Sequence, residues 1–311
     1  KDQPYSVSPV LVQAAQAGVV WRLTGLSPDP VEEWDRMKSF LGLDKEDIDA
    51  MLHTVEALFR RGPELVVSNY DYLLATPETA ALLGWEQGAD PQHLAERRRF
   101  FTVWLARMLG MDLGHDFARY LYRAGQIHAG HGPRAIHVPE IYVSGAVGLI
   151  QAAFARFLAE EMPADPLVLT ALAGWGKVLQ LHLRMMMAGY QSAVALDRGD
   201  FRVPVYLFAR MRELTGRKEL LIGVADGGSV ASVLHKFFNY LPQVRGDVFD
   251  IEWVESERVD AVGNAWLTVD KAYRPQSGWR VLVNGQNIDY SGGPDILLHP
   301  SDRIDLFPPG R

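Results

Sequence analysis

The sequence contains no cysteine. This excludes disulfide bonds, thiolate zinc sites, cysteine-ligated iron–sulfur clusters and thiol catalysis. It also lacks a basic surplus: 31 Lys and Arg stand against 38 Asp and Glu, a formal net charge of −7. Proteins that hold nucleic acid by its phosphates normally carry the opposite balance, so no nucleic-acid partner is expected. No run of ~18 or more apolar residues occurs, and no membrane partner is expected. The longest uncharged stretch, Ile141 to Ala155, holds Ser144, Gly145, Gly148 and Gln151 and ends at Arg156; it reads as a buried helix. A cytoplasmic location fits these absences.

What is present is an ordinary globular composition, 48% hydrophobic and 22% charged, over 311 residues. At ~100–200 residues per domain that length predicts two domains. Up to about Leu196 the chain reads as helix after helix. Starts repeat one device, a short polar residue followed by proline: Asp29-Pro30, Thr76-Pro77, Asp90-Pro91 and Asp165-Pro166. The polar side chain can cap the first amides, and proline lacks only an N–H that would be orphaned there anyway. Apolar residues recur at helical spacing, as in Ile48, Met51, Leu52, Val55, Leu58 and Phe59. The expected helices lie at roughly 8–20, 30–41, 45–61, 63–75, 77–83, 91–109, 114–130, 139–161 and 166–196.

Near Asp197-Arg198-Gly199-Asp200 the pattern changes. Strands are expected over 201–208, 219–224, 250–255, 265–269, 279–283 and 303–307, with a helix from Ser229 to Tyr240 and a tight turn at Asn284-Gly285. This predicts a multidomain chain: an all-α domain over 1–197 followed by an α+β domain over 201–311.

Three histidines cluster late in the helical half: His128, His131 and His137. By residue type alone they are ordinary histidines, or a zinc site in need of a carboxylate, or the source of an axial heme ligand, for which a single imidazole suffices. Arg123-Ala124-Gly125-Gln126-Ile127-His128, followed by Ile136-His137-Val138-Pro139-Glu140-Ile141-Tyr142, resembles the proximal helix and following corner of protoglobins and globin-coupled sensors, with their Gly-x-x-His and (Ile/Val)-Pro-x-x-Tyr motifs. Asn69-Tyr70-Asp71-Tyr72-Leu73-Leu74 resembles the distal Phe/Trp-Tyr-x-x-Leu segment of that family, with Asn69 in place of the aromatic. The resemblance spans about 30–196 and implies a globin fold binding heme b. His128 would be the iron ligand, with His131 the runner-up and His137 in the corner. Tyr70 would be the distal donor, Phe100, Phe101 and Leu105 would line the heme wall, and Tyr142 would open the next helix. Trp175 to Tyr190 would be the last globin helix, with Leu179, Leu183, Met186 and Met187 facing inward. One of Arg97, Arg98 and Arg99 could reach a heme propionate.

The second half carries Val205-Tyr206-Leu207-Phe208-Ala209-Arg210-Met211-Arg212-Glu213-Leu214-Thr215-Gly216, then Val283-Asn284-Gly285, then Asp302-Arg303-Ile304-Asp305-Leu306-Phe307-Pro308-Pro309-Gly310. These pieces resemble, in order, the sulfur carriers of ubiquitin-like β-grasp fold, including the small subunit of molybdopterin synthase. The segment from Arg245 to Ser277 exceeds a minimal carrier and predicts an added hairpin or edge. The carriers end in Gly-Gly, whose carboxylate becomes a thiocarboxylate. Here the sequence reads Pro309-Gly310-Arg311, so Gly310 stands alone at that place and the chain as written is not expected to form the thiocarboxylate.

Together the two resemblances imply a heme protein that binds oxygen, NO or CO at a five-coordinate iron and senses gas for its carrier-like domain. Alternatives are a heme enzyme with peroxidase, NO or nitrite chemistry, or a sulfur carrier for molybdopterin biosynthesis with a regulatory globin. A ligand-binding or sensor role is favoured over that of a dedicated enzyme. The partners implied are a diatomic gas, the molybdopterin synthase large subunit or an activating enzyme, and a second copy joined through globin helices.

Overall fold

The computed structural model describes residues 20–309. The expected helix at 8–20 and the family's glycine position, Gly310, lie outside the described residues. The chain divides into two compact units, one spanning Pro28–Val194 and the other holding the described residues of 20–27 together with those from Ala195 onward. Residues 20–27 therefore join the second unit, although the sequence placed them with the first domain.

The first unit is all helix. α1 (Pro30–Phe40) starts where the Asp29 carboxylate accepts from Val31 N at 2.9 Å. α2 (Lys45–Ala75) opens on a capping box in which Asp44 and Asp47 each accept the other's backbone N–H. The break expected near residue 62 is absent, and Pro63 lies inside one continuous helix. Proline here forfeits a bond to the carbonyl of Phe59, but both residues are on the exposed side, where water can satisfy that oxygen. The opposite side, with Leu58, Gly62, Leu65 and Val66, is buried and holds the helix straight through.

α3 (Pro77–Leu83) lacks the expected side-chain cap; the Thr76 hydroxyl donates instead to Tyr72 O at 3.0 Å. α4 (Pro91–Leu109) is capped by Asp90, and α5 (His115–His128) and α6 (Glu140–Glu161) follow. α7 (Val168–Asp197) begins two residues later than expected, after a turn in which the Asp165 carboxylate accepts from Leu167 N at 2.9 Å.

The helical core is dense with aromatics. Trp34, Trp175, Phe117, Phe154 and Phe157 are fully buried, and the indoles find partners: Trp175 donates to the Thr54 hydroxyl and Trp34 to Leu113 O, each at 3.0 Å. α6 departs from the wholly buried helix expected of its sequence. Val143, Val147, Ile150, Phe154, Phe157 and Leu158 are buried, whereas Ile141 is 72% exposed and Leu149 also faces out. By length and composition alone it is the one helix among the described residues that could cross a membrane. Its buried stripe instead serves this core.

The second unit is built on a mixed five-stranded sheet. β1 (Leu23–Thr24) belongs to a smaller sheet described below. β2 (Phe201–Leu207) and β3 (Glu219–Val224) pair antiparallel, separated by the short α8 (Arg210–Thr215). α9 (Val230–Tyr240) buries Val233, Leu234, Phe237 and Phe238, and α10 (Arg245–Val248) follows. β4 (Phe249–Val259) and β5 (Ala265–Pro275) form a long hairpin, which is the addition foreseen between Arg245 and Ser277. β6 (Arg280–Val283) and β7 (Gln286–Asn287) flank Asn284-Gly285, whose φ values of 50° and 85° suit the tight turn expected there. β8 (Ile304–Phe307) runs parallel to β2, with Val205 opposite Ile304 and Leu207 opposite Leu306.

The sheet order is β3-β2-β8-β6-β7, so the first and last strands of this sheet, β2 and β8, lie side by side. The second sheet has the order β1-β5-β4, with Leu23 opposite Tyr273. Trp21 secures the incoming chain: its indole donates to Asp289 Oδ1 at 2.9 Å and its ring meets Phe249 edge-on.

Candidate functional site

The place of His128 is set by glycine. A Cβ on Gly125 would lie 1.8 Å from Met186 O, and one on Gly189 would lie 1.9 Å from Tyr122 O. α5 and α7 therefore touch backbone to backbone, which only glycine allows. The contact fixes the rotation of α5 and hence the orientation of His128 three residues on. The glycine of the Gly-x-x-His motif thus acts through helix packing.

His128 is half-buried, and its Nδ1 donates to Ala124 O at 2.8 Å. That bond selects the tautomer, leaving Nε2 with its lone pair outward. Burial lowers the His128 pKa below the ordinary histidine value, and the Arg97 guanidinium adds to this against the opposing hydrogen bond. The imidazole is therefore neutral, as a metal ligand requires. Like His128, the side chains of Ala124, Ile127, Tyr142 and Phe101 are only half-buried.

The corner after α5 is held by its own hydrogen bonds. Val138 N donates to His128 O at 2.7 Å, His137 Nδ1 donates to Ala129 O at 3.1 Å, and the Tyr190 hydroxyl meets His137 Nε2 at 3.1 Å. His137 is thus a corner residue. His131 lies beyond the helix end, in the turn where Arg123 donates to its carbonyl. Among the described residues no three His, Asp or Glu side chains gather as a metal site, which leaves the zinc alternative without support.

On the other side, Tyr70 is buried, with its ring near Trp85 and Phe101. Its hydroxyl donates to Arg97 O at 2.8 Å, and burial pushes its pKa up to about 12. The phenol proton is thus spent on α4, and donation to a bound ligand requires its release. Leu105 packs toward Gly62 of α2, and Phe101 meets Trp104 edge-on. Phe100 is 55% exposed, with the Arg99 guanidinium 5.2 Å from its ring centroid.

Two polar groups here escaped the sequence analysis. His93 is buried; the Trp85 indole donates toward its Nδ1 at 3.2 Å, and Arg97 Nε lies 3.1 Å from its Nε2. Neutral imidazole has one acceptor nitrogen, so it satisfies one of these donors at a time. Desolvation, reinforced by Arg97, lowers its pKa. The signal was legible as a His93/Arg97 pair four residues apart on one helix. His182 is fully buried among Trp34, Trp104 and Phe117, and neither of its nitrogens has a partner. Nothing in its sequence neighbourhood marks it.

The family model for protoglobin matches residues 31–195, and that for the ThiS family matches residues 205–310. No curated protein sequence matches the chain. Among solved structures, the globin domain of the Geobacter sulfurreducens globin-coupled sensor is similar at 19% identity, over 50% of this chain and 97% of that one, with a TM-score of 0.41. Small archaeal modifier protein 1 from Methanosarcina acetivorans is similar at 28% identity, over 35% of this chain and 93% of that one, with a TM-score of 0.25. The helices that carry His128 and Tyr70 thus lie inside the matched globin region, and the chain belongs to the protoglobin family, its globin followed by a ThiS-family ubiquitin-like domain.

Proposed function

We propose that the chain is a heme-b gas sensor in which His128 Nε2 holds the iron. The observation that carries this is the 2.8 Å bond from His128 Nδ1 to Ala124 O, which leaves Nε2 as the lone-pair nitrogen of a half-buried imidazole. Heme held there would supply an iron able to bind one diatomic ligand, oxygen, NO or CO. The protein's share is to keep the imidazole neutral, fix its orientation through the close approach of α5 and α7 at Gly125 and Gly189, and exclude water with Phe101, Leu105 and Tyr142. Arg97 suits a heme propionate, since His93 cannot accept from it while accepting from Trp85. Tyr70 serves as distal donor once its hydroxyl leaves Arg97 O.

We place the functional boundary between residues 197 and 201. The ThiS-like part is read as the output domain, docking a sulfur-transfer partner such as an activating enzyme or the large subunit of molybdopterin synthase. We further place the protein in the cytoplasm, as a homodimer joined through the exposed face of α6.

The test is the absorption spectrum of protein purified with heme. The wild type is expected to show a Soret band that shifts with CO. His128→Ala is expected to lose heme, or to regain it with added imidazole. A wild-type spectrum in His128→Ala, with heme lost in His131→Ala, would transfer the ligand role to His131.

A further inference from the structure

The β4–β5 hairpin has two unlike faces. Paired residues of antiparallel strands share a face, so the register sorts them. One face carries Asp250, Glu252, Ser256, Arg258, Asp270 and Arg274, and there the charges are matched. Arg274 meets Asp250 at 3.0 Å and Glu252 at 2.7 Å, Arg22 meets Glu252 at 2.6 Å, and Arg258 meets Asp270 at 2.9 Å.

The other face begins at Phe249 and Tyr273, which are buried against Trp21 and Phe238 in the core of the unit. It stays apolar after the core has ended, through Ile251, Trp253, Val259, Leu267 and Val269. Trp253 is 65% exposed and Leu267 is 74% exposed. Two carboxylates interrupt it, Glu255 opposite Val269 and Glu257 opposite Leu267. Both are exposed, and among the described residues no cation pairs with either. Lys271 is engaged over the Trp253 ring, 5.4 Å from its centroid.

A sheet that balances every charge on one face and leaves two carboxylates unmatched in an apolar field on the other is built for a cationic counterpart. From this we propose that the Ile251–Val259/Ala265–Lys271 face docks a partner protein through an apolar surface bearing lysine or arginine opposite Glu255 and Glu257. A second copy laid on this face about a twofold axis would set carboxylates against carboxylates, and an anionic membrane would repel them. Segment 1–19 offers a single cation, Lys1, which is too few for the two carboxylates.

The test uses the full chain and two synthetic strand-forming peptides, one alternating leucine and lysine, the other leucine and glutamate. Titration calorimetry is expected to show binding of the lysine peptide alone. The double reversal Glu255→Lys/Glu257→Lys is expected to weaken that binding by about tenfold or more and to admit the glutamate peptide. Trp253→Ser is expected to weaken both, with unchanged far-UV circular dichroism. Equal binding of the two peptides, no binding of either, or indifference to the reversal overturns the proposal. So does binding that appears only after deletion of residues 1–19, which would make the chain its own occupant. A dimer dissolved by Trp253→Ser in light scattering, or vesicle association lost in that variant, overturns it in favour of a second copy or a lipid surface.

Discussion

Acidification bears on His182 more directly than on any other group. Its imidazole is stacked on Trp34, with ring centroids 5.9 Å apart, and flanked by Phe117 and Trp104, without a hydrogen bond at either nitrogen. Burial drives its pKa down to about 3. In the unfolded chain the value is ~6.5. The folded pKa is the lower one, so the folded state binds fewer protons. The contribution to stability is fully present above pH ~6.5 and is lost as the pH falls toward about 3. Between pH 7 and pH 5 the loss is about 2 kcal/mol. For a unit of this size that lowers Tm by roughly 4–8 °C. His93 and His128 shift in the same direction, so the wild type alone cannot isolate the effect. The comparison is with His182→Phe, which keeps an aromatic ring in the cage and removes both unpaired nitrogens. At pH 7 the variant should be as stable as the wild type or more so, because a buried unsatisfied polar group costs ~1–3 kcal/mol. On going to pH 5 it should lose about 2 kcal/mol less than the wild type. The assay is thermal unfolding followed at 222 nm, without added heme, at both pH values. An equal fall in Tm for the two proteins would refute the reasoning and place the proton elsewhere.

Gly125→Ala should destabilise the helical unit by about 3 kcal/mol or more in urea unfolding, since its Cβ would strike Met186 O at 1.8 Å. Gly145→Ala, with open space around it, should be neutral or stabilising by up to ~1 kcal/mol. Tyr70→Phe removes the bond to Arg97 O and should cost ~0.5–1.5 kcal/mol in the same assay. If Tyr70 also serves bound ligand, flash photolysis should show oxygen leaving several-fold faster, and unchanged ligand kinetics would confine Tyr70 to its structural bond. Asp44→Ala should cost ~1 kcal/mol by opening the capping box of α2, readable as a lower urea midpoint.

The sequence was legible where one local rule had no competitor. Asp29-Pro30 and Asp90-Pro91 start helices as read, because nothing else claims those carboxylates. The rule failed at Thr76, whose hydroxyl found the closer carbonyl of Tyr72. It failed at Pro63 because a proline on an exposed helix side disturbs little. The first reason is a local competition four residues back; the second depends on which side of the helix the rest of the unit covers. The Gly-x-x-His spacing pointed to His128, but the reason for the glycine, the backbone of Met186 in α7, is visible only in three dimensions. His182 was missed for the same cause, since its lack of partners is set by tertiary packing, whereas the His93–Arg97 pair is a local one on a single helix. The pairing of Leu23 with Tyr273 joins residues 250 apart, beyond any pattern of spacing.

The sheet order β3-β2-β8-β6-β7 also dictates when each part can form during synthesis. All helices of the first unit have been made by the time residue 197 is in place, so that unit can fold while the rest is still being translated. The second unit cannot do the same. Its β2 waits for β8, about a hundred residues later, and the short β1 waits for β5 across the whole length of the first unit. Until those partners are made, Trp21 lacks Phe249, Leu23 lacks Tyr273, and β2 lacks its parallel neighbour. A ribosome that stalls before β8 would therefore release a folded globin trailing an open, adhesive half-sheet, a ready target for chaperones and proteases.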